Sequence, residues 1–448
     1  GAEDGNGEGG KSWLNHAQQY SAMRGEPTVP VVLAGSAAFL NLYATQPLLP
    51  LLARTFHAST FQVGLTVTAP TVAVALFAPV VGRLADTIGL RRVIVGSSFL
   101  LAAATALSAT AGSLRQFIAW RFVLGVVTPG IFASTVAYIH EMWPPSRTGR
   151  ATAAYMTGTI VGGFSGRVLA GLIAADLDWH LSFAVLGAMA FAIATALLVW
   201  MPSDRQAGLN RLRHGSGKEG SHHDERTTSH SREPKGKQGF GRAARQLFRN
   251  RQLIATYALG FCVLFTNVAM FTYVTFHLAA PPYNLSTAAL GWLFVVYLLG
   301  VIVTPFGGRW IDQYGHRAGL GAAMAIGAAG ALLTLLGPLP AIIAGLALTS
   351  TGVFVAQTTT SSYIGAVTTG DRGLAVGLYS TFYYTGGSVG AAAPAAVWNS
   401  GGWPACVALV VAVQCAGALI AFTTWSAPAL TAAEARRLPL PPLPGGGA

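Results

Sequence analysis

Gly82-Arg83-Leu84-Ala85-Asp86-Thr87-Ile88-Gly89-Leu90-Arg91 decides how this chain is built, because the pattern occurs twice. Its counterpart is Gly308-Arg309-Trp310-Ile311-Asp312-Gln313-Tyr314-Gly315-His316-Arg317, with Gly, Arg, Asp, Gly and Arg at the same offsets. A second pair repeats almost in step. Tyr155 with Gly162-Gly163-Phe164-Ser165-Gly166 answers Tyr379 with Gly386-Gly387-Ser388-Val389-Gly390, and Trp179 answers Trp403. Each copy of the first block follows the second apolar run of its half. A repeat of this kind means two parallel halves related by an axis along the membrane normal.

The apolar runs around these blocks are long enough to span a bilayer, which takes about 20 residues each. They cover residues 29–52, 61–81, 93–112, 114–139, 151–174 and 181–201, then 253–278, 288–306, 320–337, 341–366, 374–398 and 406–425. Backbone amides in hydrocarbon need partners within their own segment, so the runs are expected as helices. The expected fold is therefore an all-α membrane protein of twelve transmembrane helices in two pseudo-symmetric six-helix bundles, at 29–201 and 251–425. Only 10% of the residues are charged, against about 25% in soluble domains.

The net charge of +12 sits mainly in short loops, where it sets topology and does not point to nucleic acid. Arg83, Arg91, Arg92, Arg147, Arg150, Arg309, Arg317 and Arg372 fall on one side, and Arg54 and Arg115 on the other. Both termini are expected in the cytoplasm, as an even number of spans requires. Residues 1–28 and 426–448 read as cytoplasmic tails, with no cleaved leader expected in the first. Residues 202–250 are polar and rich in Gly, Ser, His, Lys and Arg, the composition of a disordered linker. Its His214, His222, His223 and His230 lack fixed spacing, and no metal site is expected. Cys262, Cys406 and Cys415 lie within apolar runs and form no disulfide framework.

The block between spans two and three resembles the cytoplasmic signature of the major facilitator superfamily, with Gly82, Leu84, Asp86, Gly89, Arg91 and Arg92 in the matching positions. The resemblance covers nearly the whole chain. It implies a gate at Gly82, Asp86, Gly89, Arg91 and Arg92, with Asp312 and Arg317 as the degenerate second copy. Arg121, followed by Gly125, is similar to the family's Arg-x-x-x-Gly motif. Gly158, Gly162, Gly163 and Gly166 look like a degenerate glycine-rich antiporter motif, with Arg167 where the usual Gly-Pro step is absent. Asn41, Gln46, Pro47 and Pro50 of span one resemble the drug:proton antiporter branch, nearest a YnfM-like, arabinose-efflux-like group of bacterial exporters. The resemblance implies export of a small molecule across the inner membrane by proton antiport, by a monomer that needs no cofactor.

Two ionisable residues fall firmly within spans, Arg121 and Arg167, and such residues are costly there unless they work. A guanidinium keeps its proton, so it would hold an anion or a polar oxygen and not carry protons. The competing reading of each arginine is structural pairing. The same choice applies to Gly158, Gly162, Gly163 and Gly166, which serve either coupling or helix packing. No Asp or Glu falls mid-span, so His277, near the end of span seven, is the candidate proton carrier. The family implies a path lined by spans one, four, seven and ten. That adds Asn41, Tyr43, Gln46, Asn267, Tyr273 and Gln357, joined by Tyr383 and Tyr384 of span eleven. Polar groups on aromatic walls suit an amphiphilic or polar molecule. The alternatives are an uncoupled facilitator, a proton-coupled importer of an organic anion or sugar, or a transporter-like sensor. No phosphate-binding loop or catalytic constellation is present, so an enzyme is not expected.

Overall fold

Prolines 47 and 50 shape the first span. In the computed structural model, which describes residues 28–202, 245–368 and 372–425, span one starts as a helix over Thr28–Leu42 and stops short. It continues through one tight turn at Gln46–Leu48 into a second helix at Leu49–Thr55. Pro47 has no N–H to give to the carbonyl four residues back, and the helix breaks just ahead of it. Ala44 and Gln46 bond to the carbonyls of Asn41 and Tyr43 in three-residue turns.

Spans two to six follow as Thr60–Ile88, Leu90–Ser108, Leu114–Met142, Pro145–Asp176 and Trp179–Trp200. Serine side chains at 59 and 113 cap spans two and four by accepting from backbone N–H groups, which satisfies donors that a helix start leaves free. In the second half, span seven is Arg251–Ala279. Span eight runs through Thr287–Trp292, a tight turn at Leu293–Leu298 and the first part of Leu299–Leu333. That helix turns at Gly315 into span nine. Span ten is Leu339–Val367, span eleven is Arg372–Ala392 continued past a break at Ala393, and span twelve follows a reversal at Gly402 within Pro394–Thr424. Ten helical stretches are long and apolar enough to cross a membrane. The helical residues 316–333 and Arg372–Ala392 occupy the two further positions that twelve spans require. No strand occurs among the described residues.

The repeated block has a backbone reason. Gly89 has φ 96° and Gly315 φ 83°, a conformation that side chains with a Cβ resist. In each half that glycine lets the chain reverse between consecutive spans. The last part of the expected linker is ordered: residues 245–247 form a helical turn, and Asn250 caps span seven. Leu247 packs on Leu253, Tyr257 and Tyr379, so burial extends the bundle slightly beyond the apolar run. The rest of the linker, with its histidines, and both tails lie outside the described residues.

Within each half, span one packs on span five and span two on span four, matched by seven on eleven and eight on ten. The halves meet chiefly where span two lies on eleven and span five on eight, which are equivalent pairs under the repeat. The glycines set the closest approaches. A Cβ on Gly158, Gly162 or Gly166 would strike the backbone of Val32, Ser36 or Leu40, and one on Gly386 or Gly390 would strike Phe261 or Phe265. Small residues at four-residue spacing let helix backbones touch in this way. Gly162→Val is expected to cost at least about 1–3 kcal/mol through overpacking and to lose most of the folded protein. Gly96→Ala, where nothing lies within 4 Å of the added methyl, should melt like the parent in detergent. Equal melting temperatures for the two variants would refute the packing role.

Candidate functional site

The break in span one leaves carbonyls that need donors, and Arg121 supplies them. Its Nη1 donates to Asn41 O at 2.8 Å, its Nη2 to Leu42 O at 2.5 Å and its Nε to Thr66 O at 3.4 Å. The side chain is wholly buried, with its guanidinium carbon 6.0 Å from the Phe183 ring centre. The guanidinium thus sits at the C-terminal end of the first helix, where the helix dipole favours a cation. Its described hydrogen-bond partners are all backbone carbonyls.

Arg167 is placed differently. It follows Gly166, whose contact with Leu40 brings the start of its side chain against span one. Nε donates to Gln46 Oε1 at 2.8 Å and Nη1 to Gly163 O at 2.6 Å. Three rings surround the guanidinium, with centres 5.0 Å away for Tyr43, 4.8 Å for Phe294 and 4.9 Å for Tyr297. Gln46 in turn donates from Nε2 to Thr272 Oγ1 of span seven at 3.1 Å. One arginine is therefore held by groups from both halves. Among the described residues no carboxylate lies within 4 Å of either arginine.

The remaining candidates fall into three groups. Tyr43 lies against Arg167, and Tyr383 lies within electrostatic reach of Tyr43, Tyr297, Tyr379 and Tyr384. Tyr384 packs on Phe132 of span four at 5.6 Å between ring centres. Asn267 accepts from Tyr297 at 3.0 Å and so fixes one wall of the box. Tyr273 is buried and donates to Ala391 O at 3.0 Å, which ties span seven to span eleven. His277 stacks on Trp403 at 5.4 Å, in a separate aromatic cluster that includes Tyr283. Gln357 is half-buried on span ten. The Asn41 side chain is buried with its Oδ1 unpartnered.

At the other end of the bundle Arg91 donates to Leu198 O at 2.6 Å and Met201 O at 2.8 Å, holding the last turn of span six. Arg92 is exposed, and Arg317 lies 5.2 Å from the Phe422 ring centre. Gly82 lies in the helix Thr60–Ile88, and the side chains of Asp86 and Asp312 lie outside what is described. The sequence reading missed Phe294, Tyr297 and Tyr379. The first two belong to a run of apolar and aromatic residues that reads as lipid-facing or core helix. Only the repeat partner of Tyr155 marked Tyr379.

With this geometry in hand, comparison with known sequences decides the family. Residues 31–281 and 278–444 match the sequence model of the Major Facilitator Superfamily. The chain belongs to that superfamily. Among relatives, YybF of Bacillus subtilis (strain 168), described as an uncharacterized MFS-type transporter, is 29% identical over 378 residues, covering 84% of this chain and 88% of YybF. The inner membrane transport protein YnfM of Escherichia coli (strain K12) is 28% identical over 378 residues, covering 84% of this chain and 85% of YnfM. The fold is shared with a bacterial homologue of the human lysosomal transporter Spinster, solved in an inward-facing and unoccupied conformation. That match has a TM-score of 0.68 and 15% identity, over 90% of this chain and 98% of that one. This facilitator is a multi-pass membrane transporter and not an enzyme.

Arg121→Gln should leave the Leu42 carbonyl unpartnered and the Asn41 carbonyl with only its long bond from Ala44, at a cost of about 1–3 kcal/mol for an unpartnered buried group. The expected result is a lower melting temperature in detergent, with substrate affinity kept in the fraction that folds. An unchanged melting temperature would show that Arg121 does not hold the break together.

Proposed function

We propose that this facilitator exports a small amphiphilic or polar molecule from the bacterial cytoplasm by alternating access, in exchange for protons. Both termini and the Gly89 end of the bundle then face the cytoplasm, by the excess of arginine there. The observation that carries the reading is the site at Arg167, which draws its walls from both halves, as a rocking mechanism needs. The described hydrogen bonds between the halves support a closed outer side. Gln46 to Thr272, Thr68 to Ser388 O and Ser388 to Thr71 all lie away from the Gly89 end. Breaking these bonds and the ring contacts around Arg167 would open the site outward. Export and proton exchange draw on the family resemblance, and the inner membrane location draws on the name of YnfM.

Inside-out membrane vesicles loaded with a pH-sensitive dye test this reading. Energised vesicles given a panel of anionic, sugar-like and cationic amphiphiles should show substrate-dependent alkalinisation that vesicles without the protein lack. Silence toward every compound, from protein shown to be folded, would favour the uncoupled facilitator. In the same assay Asp86→Asn should cut flux severalfold at unchanged protein level. Full turnover in that variant would remove Asp86 from the gate.

A further inference from the structure

Arg167 and Tyr43 lie side by side, each with a donor that nothing described receives. We infer that the site takes an aromatic organic monoanion, a planar carboxylate whose charge meets Arg167 and Tyr43 and whose ring lies among Tyr383, Tyr384 and Tyr297. The inference rests on the transporter reading above and narrows it to one substrate class.

Four observations lead there. Arg167 is 4% exposed and its Nη2 has no hydrogen-bond partner among the described residues, while Nε and Nη1 are held. A guanidinium so fixed presents one free edge for a carboxylate. The Tyr43 hydroxyl is buried and has no partner, and it lies within electrostatic reach of Arg167 and Tyr384. A buried phenol with an idle O–H is a donor waiting for an acceptor. Of the amide acceptors in the surrounding residues, Gln46 Oε1 already receives from Arg167 and Asn267 Oδ1 from Tyr297, so the acceptor that the free guanidinium edge calls for must come from the ligand. Finally, the faces of Tyr43, Phe294 and Tyr297 surround the protein's own guanidinium. The aromatic cage that would recognise a cationic ligand is therefore filled, and a second cation there would meet an unneutralised like charge.

Equilibrium binding to the purified full chain in lipid nanodiscs at neutral pH tests this, with 2-naphthoate, its neutral amide and the corresponding 2-naphthylmethylammonium as probes. The carboxylate should bind saturably and at least tenfold more tightly than the amide, and the ammonium more weakly than either. Arg167→Gln should erase the preference for the carboxylate over the amide while leaving amide binding in place, and Arg167→Lys should restore part of it. If Arg167→Gln fails to fold, Tyr43→Phe takes its place. That change removes an oxygen with no partner, so the protein should fold normally and lose severalfold affinity for the carboxylate alone. No saturable carboxylate binding, equal affinity for carboxylate and amide, or a preference for the ammonium would overturn the inference. So would a carboxylate preference that survives in both Arg167→Gln and Tyr43→Phe. Vesicle export of amide or ammonium probes without carboxylate preference would sink this inference and leave the export reading intact. Selective carboxylate binding with no transport would do the reverse.

Discussion

Gly158, Gly162 and Gly166 let span five lie on span one with backbone against backbone, and the position of Arg167, one residue beyond, follows from that approach. A wider spacing would carry its guanidinium away from Gln46 and Tyr43. The bond to Gln46 would then be lost, and so would the link through Gln46 to Thr272 in the other half. The same closeness is used in the second half, where Gly386 and Gly390 touch span seven and set Tyr383 and Tyr384 on the opposing wall. Packing and side-chain placement are thus one design, because Gly166 and Gly386 lie within three residues of Arg167, Tyr383 and Tyr384.

The two buried arginines show how a fixed charge can be kept within a membrane with no acid partner among the described residues. Arg121 is bonded to three carbonyls, two of them at the break ahead of Pro47. A backbone carbonyl carries partial negative charge, and several at a helix C-terminus offset much of the cost of burying a cation. Arg167 has only one carbonyl and one side-chain amide, and the rest of its support comes from ring faces. Ring faces attract a cation without satisfying its donors. Each nitrogen of Arg121 therefore has an acceptor where it stands, whereas Nη2 of Arg167 has none among the described residues.

Much of this was legible in the sequence. The repeat announced two halves, and Gly89 and Gly315 recurred because the reversal between spans needs a positive φ. Arg167, Tyr43 and Gln46 stood out as polar residues in apolar runs, and the structure brings the three together. Tyr297 and Phe294 did not stand out. An aromatic residue in a span is ordinarily packing, and the tight turn at Leu293–Leu298 that aims them inward leaves no compositional mark. The setting of Arg121 was hidden for another reason. Its partners are main-chain carbonyls about eighty residues earlier, and sequence shows side chains but not which carbonyls a broken helix sets free. Leu247 and Asn250 lay beyond the apolar run, and their burial depends on neighbours from spans ten and eleven.

The charge on Arg167 also bears on how the proposed export would be driven. A site with a fixed positive charge is cationic when empty and neutral once a monoanion fills it. With the cytoplasm negative, the membrane potential acts on whatever net charge moves in a cycle, at about 2.3 kcal/mol per elementary charge per 100 mV. Loading at the inner side neutralises the site before it turns outward, and the empty site then returns inward with the field. Export of an anion therefore draws on the potential without a titratable group in the path, which fits spans in which no Asp or Glu lies mid-membrane. A proton exchanged in the same cycle would add one more inward positive charge. Only that added part of the proposal requires a group that can lose its proton, and the candidate, His277 of span seven, stands apart from Arg167 against Trp403, so the two roles would fall on separate residues.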